Sequence, residues 1–321
     1  MAALIEPARH PDIVDLRELR ADDLEPLLTE EIRTWDNTLD WDFAKSADLV
    51  RRFVDLRALS GCALMQGRQV IGYSYFVLED HKGLIGDLYV RRQSRTPEDE
   101  TRLLGAVLDE MMGTPHLARI ESQLMMVDSL PARVLPGARF ANSYVRDFMV
   151  ADLAQADIPQ GRVRYRVYVE KWAEHFQEPA AQLIASAYLG HVDSYINDQY
   201  RSTLGARRFL FNIVQYPGCG TFFRPASFAA FDPDGRLCGL CLTSMVAEYI
   251  GHITQICVGN WVRGAGVGYE LLRQSLVGLR EAGCRKVSLT VTNSNHDAIR
   301  LYQRTGFTTR RQFSAYVWEG F

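Results

Sequence analysis

Arg263-Gly-Ala-Gly-Val-Gly268 and, downstream of it, Val291-Thr-Asn-Ser-Asn295-His-Asp-Ala-Ile-Arg-Leu-Tyr302-Gln-Arg-Thr-Gly306-Phe307 are the segments from which the architecture of this chain can be worked out. The first follows an apolar strand pattern, Ile256-Cys257-Val258. It opens a helix marked by apolar residues at 267, 271, 272, 276 and 279, which Gly283 closes. Alternate glycines let the backbone curl tightly and bring its N–H groups to a ligand with no Cβ in the way. The helix adds orphan N–H groups and the positive end of its dipole, so the segment predicts a cradle for a phosphate or pyrophosphate. It is not a P-loop, because Tyr269-Glu270 stand where a lysine and a hydroxyl residue belong. Nor does its spacing match the GxGxxG turn of a dinucleotide-binding sheet. Beyond the helix the pattern predicts a strand at Val287–Val291, a short helix at His296–Arg304 and a strand near Phe313–Trp318.

Working outward, the same order of elements occurs twice. Leu88-Tyr-Val-Arg-Arg-Gln-Ser-Arg95 aligns without a gap on Ile256-Cys-Val-Gly-Asn-Trp-Val-Arg263 at an offset of 168 residues, and Leu103, Leu104 and Leu108 then fall opposite Leu271, Leu272 and Leu276. Upstream, Gly67-Arg-Gln-Val-Ile-Gly-Tyr matches Gly235-Arg-Leu-Cys-Gly-Leu to within one residue. The expected organisation is two tandem copies of one α/β fold with a mixed sheet, at 1–157 and 162–321, joined by the polar stretch Ala154–Gly161. In the first copy strands are expected at Val14–Leu19, Cys62–Gln66, Val70–Leu78, Leu84–Val90, Arg119–Val127 and Tyr144–Asp152. Its helices are expected at Asp22–Ile32, Ala47–Leu59 and Pro97–Met112. The second copy should begin with a strand over the alternating run Val163–Val169 and a helix at Ala173–Leu189. Strands should follow at Ser227–Phe231, Leu237–Met245 and His252–Val258.

The 321 residues are 47% hydrophobic and 23% charged, which excludes a disordered chain. A net charge of −3 gives no basic field for nucleic acid or a membrane surface. No apolar run approaches the ~18 residues of a membrane span. Met1–Pro11 carries Glu6 and Arg9, which argues against a secretory signal, and the six cysteines are sparse, so a cytoplasmic location is expected. Cys238-Gly-Leu-Cys241 lies in an apolar strand pattern, where positions three apart should face opposite sides as buried thiols. No histidine or second cysteine pair completes a metal site, so no metal is expected.

Taken in order, R-x-x-G-x-G, helix, strand and N-x-x-A-I-x-L-Y-x-x-x-G-F closely resemble the GNAT superfamily of N-acetyltransferases. The resemblance covers the second half from about Val163 and is most specific over His252–Phe307; the first half is similar more faintly. In that family a fourth strand splays from a fifth and acetyl-CoA lies in the wedge. The resemblance implies that Arg263, Gly264, Ala265, Gly266, Val267 and Gly268 hold the CoA pyrophosphate through main-chain N–H groups. It implies that Ile256, Cys257 and Val258 pair with the pantetheine arm, and that an N–H near Val258 stabilises the oxyanion. Asn295 would lie beside the pantetheine while also capping a helix. Tyr302 would protonate the departing thiolate, a role suited to a phenol that is neutral at pH 7.

The resemblance leaves the general base open. Thr254 and Gln255 stand where many relatives carry an acid on the fourth strand; Glu248, His252 and Asp193 are candidates, as is a chain of water. Opposite the glycines the first copy has Thr96, Pro97, Glu98 and Glu100, and opposite Tyr302 it has Arg133, Val134 and Leu135. A proline without an N–H and three acids in one turn are hostile to an anion, so the first copy is expected to keep the fold without the cofactor site. The function implied is direct transfer of acetyl from acetyl-CoA to a primary amine in a ternary complex, on a small-molecule or peptide acceptor. A protein Nα-acetyltransferase and a non-catalytic acyl-CoA-binding regulator are the alternatives. The acceptor side is expected from Tyr188–Asp198 and Gln215–Arg224.

Overall fold

The structure is a computed structural model and describes residues 10–127, 135–216, 218 and 220–321. Arg133 and Val134, two of the positions aligned with Tyr302, lie outside the described residues. The chain divides into two compact units. One comprises Met1–Trp35, Phe43–Ser143 and Tyr316–Phe321; the other comprises Asp36–Asp42 and Tyr144–Ala315.

In chain order the first half gives β1 (Asp12–Asp15), α1 (Ala21–Leu39), α2 (Ala44–Asp55), β2 (Ser60–Gln66), β3 (Gln69–Glu79), β4 (Lys82–Val90), α3 (Pro97–Met112), β5 (Arg119–Gln123) and β6 (Ala141–Asp152). The first unit holds the strand order β1-β2-β3-β4-β5, antiparallel except for β4 and β5, which are parallel across α3. Helix α3 forms where expected because Thr96 caps it, Pro97 fills its first turn, and Leu103, Leu104, Val107, Leu108 and Met111 recur on one buried face.

The second half gives β7 (Tyr168–Lys171), α4 (Gln177–Ala187), α5 (Val192–Ile196), α6 (Thr203–Gln215), β8 (Thr221–Phe222), β9 (Phe228–Phe231), β10 (Leu237–Ala247), β11 (Ile250–Val258), α7 (Val267–Glu281), β12 (Lys286–Thr292), α8 (His296–Gln303) and β13 (Thr308–Glu319). Here the order is β6-β12-β11-β10-β9-β7, with β8 on β10 and the parallel pair β11/β12 joined through α7. Each half therefore has the mixed α/β layout and one βαβ unit of the same kind.

One expected strand finds a neighbour that the sequence did not indicate, and two local expectations change. The strand that ends the first copy, Tyr144–Asp152, hydrogen-bonds antiparallel to β12, from Asp152 opposite Lys286 to Arg146 opposite Thr292. Alternation predicts such a strand but not which sheet neighbour satisfies its donors. In the run Val163–Val169, Val163, Tyr165, Val167 and Val169 do pack against the core, yet a strand forms only at Tyr168–Lys171. The earlier residues lie along the glycine loop, where the Arg164 N–H donates to Ala265 O (2.8 Å). Finally, Cys238 and Cys241 are both fully buried in the same core cluster, beside Leu271, Leu272 and Leu276 of α7. A bulge between Leu237 and Gly239 turns Cys238 to that side.

Candidate active site

Strands β11 and β12 pair only from Ile250 opposite Lys286 to Ile253 opposite Leu289. Strand β12 continues beside β6 to Thr292, and β11 continues beside β10 to Val258, so past Ile253 the facing edge of β11 has no strand neighbour among the described residues. Thr254 is the extra residue of a bulge, since Thr243 pairs with Ile253 and Leu242 with Gln255. The first unit repeats the device: β4 leaves β5 after Ile85, opposite Ser122, with Gly86 as the extra residue before Asp87.

The glycine loop follows the open edge. Gly264 has φ +74° and Gly266, the cap residue of α7, has φ +90°, both in the left-handed region that favours glycine. A Cβ on Gly266 would stand 2.7 Å from Arg162 O, whereas one on Gly268 would make ordinary contacts with Val258 Cγ1 at 3.6 Å and Leu301 Cδ2 at 4.0 Å. No side chain caps α7, and Glu270 is the residue whose N–H reaches Gly266 O, at 3.0 Å. The N–H groups of the first turn before it are thus the orphan donors of a helix start. Two arginines brace this loop from outside: Arg263 Nη2 donates to Ala187 O (2.7 Å) and Arg164 Nη2 to Gly264 O (2.9 Å). Arg263 therefore offers the cradle its main chain, with its guanidinium already bonded. The acid of the turn, Glu270, is held by Arg273 at 2.7 and 2.8 Å and lies below the usual carboxylate range for that reason.

In the first unit the corresponding helix start is closed by its own residues. Thr96 Oγ1 accepts from the Asp99 N–H (3.1 Å), and Arg95 pairs with Glu100 (3.2 Å).

Along the open edge, Tyr188 and Tyr200 hold Gln255. Gln255 Nε2 donates to Tyr188 Oη (3.1 Å), Tyr200 Oη donates to Gln255 Oε1 (3.4 Å), and the two rings stack at 4.4 Å. Tyr188 Oη also reaches Ile256 O at 3.4 Å. Burial pushes the Cys257 thiol up to about 12, so this thiol is not a nucleophile at neutral pH.

Across the gap, Tyr302 on α8 is 7% exposed. Burial raises its phenol well above the ordinary value, with the neighbouring Cys241 and Asp193 adding to the effect, so it keeps its proton. Asn295 caps α8 through Oδ1 from the Ala298 N–H (3.3 Å) and turns Nδ2 to His191 Nε2 (3.3 Å). The capping role and a place in the site coexist. Asp193, at the start of α5, accepts from Thr292 Oγ1 and lies 3.6 Å from Arg146 Nη1.

The base candidates separate. His252 lies where β11 and β12 still pair, opposite Ser288, with Nδ1 2.8 Å from Ser288 Oγ and its ring against Trp41. Burial lowers it to about 4, so it is a neutral core residue rather than a base at the open edge. Glu248 is exposed in the turn between β10 and β11, at the other end of β11 from Val258. Asp193 alone of the three lies with Tyr302 and Asn295. Of the two acceptor segments, Tyr188–Asp198 contributes Tyr188, His191 and Asp193 to this group. In the other, Pro217 and Cys219 lie outside the described residues, and Thr221–Phe222 pairs with β10. Arg146, Thr292 and Tyr200 carried no sequence signal; Tyr188, His191 and Asp193 did, within the segment Tyr188–Asp198 expected as the turn between two helices.

Comparison with known proteins bears on this geometry. Residues 192–307 match the acetyltransferase (GNAT) family. A mycothiol acetyltransferase of Thermobispora bispora is 28% identical over 257 residues, 76% of this chain and 79% of that one. A mycothiol acetyltransferase of Thermomonospora curvata is 37% identical over 87 residues, 27% of this chain, and the matched stretch spans only 29% of that relative. Among solved structures, a GCN5-related N-acetyltransferase from Sphaerobacter thermophilus superposes with a TM-score of 0.68 at 18% identity, covering 97% of both chains. A tandem GNAT protein from the clavulanic acid biosynthesis pathway gives 0.58 at 17%, covering 96% of this chain and 98% of the other. At these identities the two structures speak for the fold. Among the described residues no helix is long and apolar enough to cross a membrane.

Proposed function

We propose that this chain, a member of the GNAT acetyltransferase family, transfers the acetyl group of acetyl-CoA to the primary amine of a small molecule in its second copy. The observation that carries the reading is the open edge of β11 beyond Ile253, which leads into a helix start with two glycines in the left-handed region. An edge with no strand partner past Ile253 among the described residues, where Ile256 O meets only the Tyr188 hydroxyl at 3.4 Å, suits the amides of a pantetheine arm, and the α7 turn suits a pyrophosphate. Ile256, Cys257 and Val258 would take the arm, and the main chain of Arg263–Gly268 the diphosphate. Acetyl-CoA supplies an acyl group activated as a thioester.

The protein's residues then have three tasks. The N–H near Val258 faces the oxygen that becomes negative as the amine attacks. Tyr302, kept protonated by burial, donates to the departing thiolate. Asn295 ties the start of α8 to the acceptor side through His191. The first copy serves as a partner fold without a cofactor: Thr96 occupies the turn where the cradle would be. A small-molecule acceptor is preferred over a peptide because the relative matched over 79% of its length is named for mycothiol. The test is CoA release from acetyl-CoA with a panel of small primary amines and amino-terminal peptides. Turnover with small amines supports the reading, and binding of acetyl-CoA without turnover on any amine would favour a regulatory acyl-CoA binder.

A further inference from the structure

The acetyl-transfer reading leaves open what charge the acceptor carries. An aliphatic primary amine is an ammonium ion at neutral pH, and a partly buried site that admits a cation has to replace its lost water with acceptors. The edge of β11 offers no carboxylate, since Gln255 is there, clasped by Tyr188 and Tyr200. Asp193 offers one from the acceptor side, and its two oxygens are used unequally. Oδ1 accepts from Thr292 Oγ1 and lies 3.6 Å from Arg146 Nη1. Arg146 of β6 and Thr292 of β12 are direct partners in the sheet, so two adjacent strands pin the carboxylate through that oxygen. Oδ2 has no donor among the described residues. His191 Nδ1, 3.7 Å from it, accepts the Asp193 N–H (3.2 Å) as the cap of α5, and so has no hydrogen to give. The side chain is 14% exposed, and Oδ2 is not sealed from solvent. By contrast Asp147, next to Arg146 in β6, is 3% exposed and has both oxygens bonded, to Asn293 Nδ2 (3.1 Å) and Gln312 Nε2 (2.7 Å). The Asp193 carboxylate also reaches the gap electrostatically. Burial is the main cause that raises the Tyr188 and Tyr302 phenols, and the Asp193 charge adds to it in both.

We infer that Asp193 docks the ammonium group of the acceptor through Oδ2, so that the substrate class is a primary amine that arrives as a cation. The inference rests on the acetyl-transfer reading above and adds the charge of the acceptor to it. The Arg146 guanidinium beside Oδ1 repels a cation from that oxygen, which leaves Oδ2 as the docking atom. Because Thr292 and Arg146 fix the carboxylate, a single N–H···O bond to Oδ2 fixes the position of the nitrogen as well. A hydrogen bond between two charged partners is stronger than one with a neutral donor, so this contact separates a cationic amine from an uncharged one of the same shape.

The experiment uses the full-length chain and two amines of one shape: propylamine, a cation at neutral pH, and O-ethylhydroxylamine, which is uncharged there. CoA release gives kcat/KM for each, and calorimetry gives acetyl-CoA binding. Asp193→Asn keeps an acceptor for Thr292 Oγ1 and should bind acetyl-CoA as the wild type does. Its kcat/KM for propylamine should fall ~10–100-fold, the span of one hydrogen bond to a charged group, with most of the change in KM. Its kcat/KM for O-ethylhydroxylamine should change little. A second measurement needs no variant. In the wild type, N,N-dimethylpropylamine, a cation that keeps an N–H but cannot end as an amide, should compete with propylamine, and propan-1-ol should not. An Asp193→Asn chain in which the ratio of the two kcat/KM values equals that of the wild type, whether both fall or neither does, overturns the inference. Equal inhibition by the tertiary amine and the alcohol overturns it too. A wild-type chain that releases CoA with neither amine overturns the acetyl-transfer reading, and this inference with it.

Discussion

Ile253 and Leu289 are the last partners of the parallel pair β11/β12, and every candidate for cofactor contact lies past them. Parallel strands satisfy each other's donors only while they run side by side. The bulge at Thr254 bends β11 away at that point, leaving backbone groups of Gln255–Val258 on the side facing β12 without a strand neighbour among the described residues. The first unit has the same bulge, so the wedge is a property of the repeated fold, and the glycine turn is what distinguishes the two copies.

The backbone of that turn makes the first prediction. Gly266→Ala places a Cβ 2.7 Å from Arg162 O on a residue at φ +90°. The backbone term alone is about 1–2 kcal/mol, and the clash must move either the turn or the 162–164 segment. Acetyl-CoA affinity should fall at least tenfold by calorimetry, while Gly268→Ala, whose Cβ meets only ordinary contacts, should keep more of it. Equal affinity for the two variants would remove Gly266 from the cradle.

Tyr302→Phe removes the proton without changing the packing of the ring beside Phe307. Turnover should drop by ~10²-fold or more, the lower end for general acid catalysis. The KM for acetyl-CoA and the melting temperature should stay near wild type. Unchanged kcat would take the phenol out of the mechanism.

A buried acid pair in the first unit gives a stability prediction. Glu31 is 0% exposed, accepts from Tyr73 Oη (2.8 Å) and Trp35 Nε1 (3.3 Å), and faces Asp87, which is 4% exposed. Burial raises both, Glu31 well above its ordinary value with Asp87 adding to the effect, and Asp87 to about 6. The folded state thus keeps protons that the unfolded chain has released, so stability is present at low pH and lost as pH rises from the ordinary carboxyl value through about 6 and above. Glu31→Gln should flatten that slope, and its melting temperature should gain on wild type between pH 5 and pH 8. Parallel melting curves across that range would contradict the pair.

His252 has the opposite sign. Its ring is held neutral to about 4, against 6.5 in an unfolded chain, so the unfolded state takes up a proton first. The second unit should lose stability as pH falls from 6.5 towards 4. His252→Gln, which keeps a partner for Ser288 Oγ, should reduce this acid loss when unfolding is followed by a probe in residues 144–315. If acid unfolding of that unit is as steep in the variant, His252 is not its cause.

What the sequence could say follows from the range of its signals. Helix α3 was legible to its end residues because Thr96 and Pro97 punctuate its start and the apolar period is unbroken. The glycine turn was legible because its positive-φ residues admit little but glycine. Helix α1 outruns its expected end at Ile32 and continues to Leu39, through Pro26. The direction of Cys238 and the neighbour of β6 depend on a bulge and on pairing with β12, which no local pattern encodes. His191 and Asp193 sat in a segment marked as acceptor-side. Their link to Thr292 and Arg146, and the meeting of Glu31 with Asp87, come from contacts far apart in sequence. The 168-residue offset does place Asp87 opposite Gln255, so the acid missing from the second copy's strand is present, and buried, in the first.

The most direct test of the central claim is calorimetric titration of the full-length chain with acetyl-CoA, alongside Gly266→Glu. One site per chain is predicted for the wild type, and none for the variant, which copies the acidic turn of the first half. Two sites would contradict a first copy without cofactor. No binding by the wild type, or binding that survives Gly266→Glu, would contradict the assignment of the wedge between β11 and β12 as the acetyl-CoA site.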